Sequence, residues 1–237
     1  FNFTVDENTS YDTDLSIDPE MLGRVFENLL ARINPETGEM VRKSTGSFYT
    51  PRDIVDYMVD SSLAEYLSSK TSIGLKKIEA LISYDLFDDL ENELDEGEAT
   101  SVLEALSTLT VLDPACGSGA FPIGILQKIV YIITKLDPEA RWWLAKQLEG
   151  ASPELKREFS NRSLDYVRKL GIIRQTIFGV DIQPIATEIS RLRCFLTLIV
   201  DEAIDDSQDN RGIKPLPNLD FKFVTANSLV SLPKPED

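Results

Sequence analysis

Asp113-Pro114-Ala115-Cys116-Gly117-Ser118-Gly119-Ala120-Phe121 follows a short apolar run at 109–112 and precedes a run of helical spacing at 123–136. A short apolar run with β-branched residues is typical of a buried parallel strand. Glycines have no Cβ, so the backbone N–H groups of such a turn can approach a bound ligand. The stretch therefore predicts a strand, a glycine-rich turn and a helix, with a ligand site at the turn.

The same alternation continues towards the C-terminus. Two further strands are predicted at 176–182 and 221–226, with a strongly apolar helix at 184–200 between them. Strand, turn, helix, strand, helix, strand is the signature of a doubly wound parallel sheet. The chain is therefore predicted to be an α/β protein with a partial, Rossmann-like parallel sheet.

Helices are also predicted upstream of the first strand. One begins at Asp18-Pro19, and another begins at Thr50-Pro51, with Thr50 as N-cap and Asp53 in the capping-box position. Helical spacing then covers 75–106, with an interruption around Gly97. The apolar stripe predicted for the Thr50-Pro51 helix consists of Ile54, Tyr57, Met58 and Leu63.

These elements predict two domains, an N-terminal helical segment at 1–45 and a ligand-binding domain at 46–237. The second contains a helical insertion at about 136–170, because the distance between the first two strands exceeds the roughly 30 residues that a β-α-β unit needs. Proline-marked helix starts at Asp137-Pro138 and Ser152-Pro153 lie inside it. Its two tryptophans, Trp142 and Trp143, are predicted to be buried anchors.

The composition limits the chemistry. The chain has 237 residues, no histidine, two cysteines and a net charge of −16, with an acidic run at 85–98. Without histidine, an imidazole base or a typical zinc site is excluded, and no metal site is predicted. Two distant cysteines fit a reducing cytoplasm, and no secretory leader or bilayer-spanning run is present. This net negative charge argues against the chain binding DNA by itself.

Three kinds of ligand compete for the glycine-rich turn. A phosphate-binding P-loop requires Gly-Lys-Ser/Thr, which is absent, and a dinucleotide fingerprint requires a third glycine where Pro122 stands. The third candidate is S-adenosylmethionine, which carries an ammonium group, a sulfonium group and a ribose diol but no phosphate. Asp113 can bind the cationic end and Asp181, at the next strand end, can bind the ribose.

The nine-residue stretch resembles motif I of the amino-group DNA methyltransferases, in the adenine-N6 branch. Gly46-Ser47-Phe48-Tyr49-Thr50-Pro51 is similar to the motif upstream of motif I, and Gly179-Val180-Asp181-Ile182-Gln183-Pro184 is similar to motif II. Ala226-Asn227-Ser228-Leu229 is similar to motif III. The resemblance covers about 22–229, and it implies the Rossmann-like methyltransferase fold.

The resemblance implies a set of cofactor-binding residues. The Thr-Pro helix start contacts the methionine end, Asp181 binds the ribose, Ile182 packs on the adenine, and Asn227 faces the adenine amino group. Cys116 is interpreted as a small turn residue rather than a nucleophile, and Phe121 as core beneath the turn. The full set is Tyr49, Thr50, Pro51, Asp113, Ala115, Cys116, Gly117, Gly119, Phe121, Asp181, Ile182 and Asn227.

One family motif is missing from this sequence. The catalytic Asn/Asp-Pro-Pro-aromatic loop should follow motif III, but the only partial match, Asn34-Pro35-Glu36, lies far upstream and predicts a turn. No catalytic residue is therefore assigned, and we expect the chain to be a fragment that stops before this loop and is inactive alone.

The resemblance implies methyl transfer from S-adenosylmethionine to adenine N6 in double-stranded DNA, within a type II or type IIG restriction–modification system. DNA contacts, a target-recognition domain and a fused or associated endonuclease are expected outside this chain, in the cytoplasm of a bacterium or archaeon. Two alternatives stay open: an amino-group methyltransferase acting on RNA or protein, and a non-catalytic cofactor-binding or specificity scaffold.

Overall fold

A parallel sheet of three strands forms the centre of the computed structural model, which describes residues 50–84, 94–150, 159, 162–201, 207 and 218–230. The strands are β1 (Val111–Asp113), β2 (Ile177–Asp181) and β3 (Phe223–Thr225), side by side in chain order. The described helices are α1 (Arg52–Thr71), α2 (Leu75–Ile82), α3 (Glu96–Thr108), α4 (Ala120–Leu136), α5 (Arg141–Gln147), α6 (Leu164–Gln175) and α7 (Pro184–Ile199). The α/β class is confirmed, and the strand order is compatible with half of a Rossmann-like sheet.

The two faces of the sheet have different surroundings. The strand register places Asp113, Gly179 and Phe223 side by side on one face, where Phe223 is fully buried. Successive residues of a strand point to opposite faces, so Leu112 and Val224 lie on the other face, where they are 60% and 39% exposed. Within the described residues, β1 pairs only with β2, so the other edge of β1 has no strand partner.

Helices α1 and α4 run side by side in the same direction. A Cβ on Gly124 of α4 would lie 2.7 Å from Cγ1 of Val55. One turn further along both helices, the buried ammonium of Lys128 lies 2.9 Å from Oδ1 of Asp60. Because the two contacts occur in the same order, the start of α1 lies at the end of α4 that follows the glycine-rich turn.

The predicted cap of α1 is wrong. The helix begins at Arg52 after Pro51, and no side chain caps it by a hydrogen bond. Its predicted apolar stripe is also largely wrong, because Ile54, Tyr57 and Met58 are exposed. The close approach to α4 at Gly124 selects the β-branched face of the helix instead. The buried residues are Val55, Val59, Leu63, Ala64 and Leu67.

Two other helix boundaries differ from prediction. The predicted interruption of the 75–106 helix lies just before Gly97: α2 ends at Ile82 and α3 begins at Glu96, so Gly97 lies in the first turn of α3, where Asp95 and Glu98 form a capping box. The helix predicted at Asp137-Pro138 begins later, at Arg141, because the Asp137 carboxylate accepts hydrogen bonds from the Arg141 and Trp143 N–H groups.

The predictions for the two tryptophans, the three strands and α7 are largely confirmed. Trp143 is buried as predicted, and Trp142 is half-buried against the core. The strands and α7 lie within the predicted ranges, but β3 is short and Phe221 is exposed outside it. The Asp18-Pro19 and Ser152-Pro153 helix starts, Tyr49 and the segment 1–45 lie outside the described residues.

Candidate functional site

The glycine-rich turn joins β1 to α4 through two left-handed residues. Gly117 has a φ of +52° and Gly119 a φ of +87°, which only glycine adopts readily. At Gly119 there is also no space for a side chain, since a Cβ would lie 2.9 Å from Oγ of Ser190. Both glycines of the predicted turn are therefore required by its backbone.

The turn is bonded to the end of β2. The Cys116 N–H donates to the Val180 carbonyl at 2.9 Å, and the Gly117 N–H donates to Oδ2 of Asp181 at 2.9 Å. The other carboxylate oxygen of Asp181, Oδ1, accepts from the Gln183 N–H at 2.9 Å. Asp181 therefore holds two loops together through its side chain, as well as lying where motif II predicts.

The loop after β3 joins the same cluster. The Ala226 N–H donates to the Asp181 carbonyl at 2.9 Å, and the Ser228 hydroxyl donates to the Pro114 carbonyl. Asn227 is exposed, and its Oδ1 accepts from the Leu229 N–H at 3.0 Å. The structure thus brings motif III to motif I through Ser228, while the Asn227 oxygen bonds within its own turn. A role for Asn227 towards a ligand stays a prediction.

Asp113 differs from Asp181 in how its oxygens are satisfied. Its Oδ1 accepts from the Ala115 N–H at 3.1 Å. Its Oδ2 is buried and accepts no hydrogen bond from any described residue. Burial raises the pKa of this carboxyl, and the neighbouring Asp181 carboxylate raises it further, against the lowering effect of the Ala115 N–H. A buried carboxylate oxygen without a donor favours a ligand that brings a cation.

The thiol of Cys116 lies beneath the turn, against Gly179 of β2. A Cβ on Gly179 would lie 2.9 Å from Cys116 Sγ and 2.8 Å from Cδ1 of Phe223. Burial, together with the charge of Asp113, raises the pKa of the Cys116 thiol to about 12. A neutral, buried thiol is a poor nucleophile, so Cys116 serves as a packing residue, as predicted.

Apolar side chains continue the site beyond Asp181. Ile182 and Ile185 are 57% and 48% exposed at the start of α7. Phe121, in the first turn of α4, is half-buried and packs against the core, which agrees with its predicted place beneath the turn. The site therefore combines two carboxylates with an exposed apolar surface at the carboxyl edge of the sheet.

The Thr-Pro segment reaches this end of the molecule. Thr50 is half-buried and Pro51 is exposed just before α1, whose start lies beside the start of α4. Since no side chain caps α1, the Thr50 hydroxyl is not used as a helix cap. Its contact with a cofactor stays a prediction.

Two buried polar residues of α7 were missed by sequence reasoning. Ser190 Oγ donates to the Gly117 carbonyl at 3.0 Å, and Arg193 Nη1 donates to the Ser118 carbonyl at 3.0 Å. Their signal in the sequence is weak: polar residues recur every three positions at 187, 190 and 193, but the helix also contains Glu188, Arg191 and Thr197. The contacts themselves join residues more than 70 positions apart, which no local pattern indicates.

No described helix combines the length and hydropathy needed to cross a bilayer. In the same residues, no cluster of three or more cysteine, aspartate or glutamate side chains could hold a metal ion.

The chain is similar to a much longer protein from Methanocaldococcus jannaschii. Over 225 residues, 92% of this chain, the two sequences are 31% identical, and the relative's name is "putative type II restriction enzyme and methyltransferase". The chain spans 17% of the length of that relative. No protein-family model matches the chain. No solved structure matches it.

Proposed function

We propose that this chain binds S-adenosylmethionine for a DNA adenine-N6 methyltransferase of a restriction–modification system. The observation that carries the proposal is the buried Oδ2 of Asp113, to which no described residue donates a hydrogen bond and which lies near a second carboxylate, Asp181. Two carboxylates at the carboxyl edge of a parallel sheet suit a cationic, phosphate-free nucleoside. They would repel the phosphates of the nucleotides that usually bind at this edge.

The residues present fit the proposed cofactor. Asp113 Oδ2 would accept a hydrogen bond from its ammonium group and so satisfy the orphaned oxygen. Each oxygen of Asp181 accepts one backbone hydrogen bond, and a carboxylate has about four acceptor positions, so Asp181 retains capacity for the ribose hydroxyls. Ile182 and Ile185 offer exposed apolar surface for the adenine. The family resemblance assigns the methionine end to Thr50-Pro51, which precedes a helix that starts beside the start of α4.

The proposed chemistry has a donor side and an acceptor side, and this chain's residues account for the donor side. When bound, S-adenosylmethionine supplies an electrophilic methyl group on its sulfonium. The residues of this chain bind and orient that donor, which is where much of the rate of such a transfer originates. In the family, an Asn-Pro-Pro-Tyr type loop holds the flipped adenine and accepts hydrogen bonds from its amino group. That loop is absent from the sequence, so the chain contributes the donor half of the site.

The relative supports the restriction–modification context. Its printed name joins a restriction enzyme to a methyltransferase, and the similarity covers nearly the whole of this chain. With a net charge of −16, this chain is a poor DNA-binding surface by itself. We propose that double-stranded DNA is bound mainly by other parts of a larger enzyme, which include a target-recognition domain and an endonuclease.

Calorimetric titration tests the cofactor. We expect S-adenosylmethionine to bind the purified chain with a defined stoichiometry of one, and ATP and NAD not to bind at the same concentrations. Equal binding of ATP or NAD, or no binding of S-adenosylmethionine, would overturn the cofactor assignment.

A methylation assay tests the reaction. The chain alone should transfer no tritiated methyl group to duplex DNA. The chain fused to the catalytic loop and target-recognition region of an established adenine-N6 methyltransferase should produce N6-methyladenine, identified by nucleoside digestion. Label in cytosine, RNA or protein would instead identify another methyl acceptor. Methylation of DNA by the chain alone would contradict the proposal that the chain supplies only the methyl-donor part of the site.

A further inference from the structure

Four buried polar residues lie on one face of helix α7: Thr187, Ser190, Arg193 and Thr197. The first three form hydrogen bonds with groups outside the helix. Thr187, Ser190 and Arg193 are spaced by three residues, so they lie along one side of the helix. They are 1%, 0% and 7% exposed. Buried polar groups destabilise a helix packing surface unless they form hydrogen bonds, so each must have a partner across the interface.

Each of these three residues bonds a group at the carboxyl end of the sheet. The Thr187 hydroxyl donates to the Pro184 carbonyl of its own first turn at 2.8 Å and also shares a hydrogen bond of 3.0 Å with the Thr225 hydroxyl at the end of β3. Ser190 Oγ and Arg193 Nη1 each donate at 3.0 Å to consecutive carbonyls of the turn, those of Gly117 and Ser118. One helix face therefore contacts the ends of both β1 and β3, on either side of the strand that leads into α7.

We propose that Ser190 and Arg193 are positioning residues, which hold the glycine-rich turn in the conformation that binds the cofactor. This inference rests on the proposed function. Peptide groups are planar and trans, so a hydrogen bond that fixes a carbonyl also fixes the direction of the N–H in the same unit. Ser190 and Arg193 thereby fix two successive peptide planes of the turn.

The turn needs such a restraint because of its glycines. Gly117 and Gly119 have access to more backbone conformations than other residues, so their native positive φ values are not held by local sterics. Steric contact adds to the hydrogen bonds, since Ser190 Oγ fills the space where a Gly119 Cβ would lie. Removing the Ser190 hydroxyl therefore removes both a bond and a packing contact at the turn.

Hydrogen exchange in the unliganded chain tests the restraint directly. In Ser190→Ala and Arg193→Met, we expect the amides of a peptide covering 114–120 to exchange at least about fivefold faster, as the loss of one hydrogen bond implies. Peptides from α1 and α6 should exchange as before. Thr197→Val is the matched control, because the buried Thr197 hydroxyl bonds only the Arg193 carbonyl of its own helix.

Ligand binding tests whether this restraint acts on the cofactor. Both variants should bind S-adenosylmethionine about fivefold more weakly, with a smaller loss for methylthioadenosine, which lacks the amino-acid end. Arg193→Lys keeps a donor and should restore part of the affinity. If Arg193→Met does not fold, Ser190→Ala and Arg193→Lys still decide the test.

The outcomes separate this inference from the proposed function. If the unchanged chain fails to bind S-adenosylmethionine, the proposed function fails and so does the inference built on it. If the unchanged chain binds, but Ser190→Ala and Arg193→Met leave both turn exchange and affinity as they were, only the positioning role is overturned. Equal losses in Thr197→Val would also overturn it, because the effect would then be a general one of buried hydroxyls.

Discussion

Strands β1 and β2 both end in an aspartate, but the two carboxylates differ in the hydrogen bonds that they accept. At the end of β2, both carboxylate oxygens of Asp181 accept backbone hydrogen bonds, from Gly117 and from Gln183. At the end of β1, Asp113 uses one oxygen for the Ala115 N–H and leaves the other buried without a donor. Asp181 therefore supports the fold and the proposed site, whereas Asp113 costs the unliganded fold free energy that a cationic ligand would return.

Asp181→Ala should have the largest effect, because it removes the acceptor of two backbone N–H groups. Hydrogen bonds to charged groups contribute more than neutral ones, so we expect the free energy of unfolding to fall by about 3 kcal/mol. Urea unfolding measures this, and S-adenosylmethionine affinity should fall with it. Glu65→Ala, which removes an exposed acid from α1, should change neither quantity. If Asp181→Ala has the same free energy of unfolding as the unchanged chain, Asp181 does not support the fold.

Gly179→Ala tests the packing between the two acids. Gly179 lies on β2, two residues before Asp181, and it pairs with Asp113 of β1 in the strand register. The added Cβ would contact Phe223 and Cys116 below 3 Å, so β2 must shift. We expect a loss of about 2 kcal/mol in thermal or urea unfolding, as overpacked cores show. The control is Gly74→Ala, where nothing lies within 4 Å of the new methyl group. Equal stability of the two variants would show that the space beside Gly179 adjusts freely.

Asp113→Asn should separate binding from stability. The amide oxygen can still accept from Ala115, and the buried charge is removed, so the free energy of unfolding should stay the same or rise. S-adenosylmethionine should bind about tenfold more weakly, which corresponds to about 1.4 kcal/mol. The exposed Glu104→Gln serves as the charge-matched control in calorimetry. If Asp113→Asn lowers the free energy of unfolding and leaves S-adenosylmethionine affinity unchanged, Asp113 has a structural role like that of Asp181 and the contrast between the two acids is wrong.

The dependence on pH gives the smallest effect. The folded-state pKa of Asp113 is raised above its ordinary value of 3.8, so the folded chain holds this proton more tightly than the unfolded chain. The contribution of Asp113 to stability is therefore present below pH 3.8 and is lost as pH rises through the raised pKa. Asp113→Asn should gain stability relative to the unchanged chain across that window, measured by urea unfolding at several pH values.

Cofactor affinity should follow the opposite direction. It should fall as pH drops through the raised pKa of Asp113, because protonation removes the charge that faces the ammonium group. Asp113→Asn should not show this fall. If both chains have the same pH profile for stability and binding, another group controls the titration.

Local sequence predicted the parts of the site that depend on strand ends. The turn, Asp113 and Asp181 follow from an apolar run, a glycine pair and an acid after the next strand, and these features need no knowledge of distant contacts. The buried face of α1 could not be predicted, because two apolar stripes exist and Gly124 on another helix selects between them. Ser190 was missed for the same reason, since its partner Gly117 lies 73 residues away.

The exposed sheet face around Leu112 and the edge of β1 that no described strand pairs with also bear on how copies of this chain meet one another. An apolar strand edge without a partner is a template for pairing with another chain. The charge of −16 opposes such encounters, because like-charged molecules repel. Dissolved salt shortens the reach of that repulsion from about 30 Å at 0.01 M to about 8 Å at 0.15 M. Ionic strength, as much as protein concentration, therefore governs the colloidal behaviour of this chain.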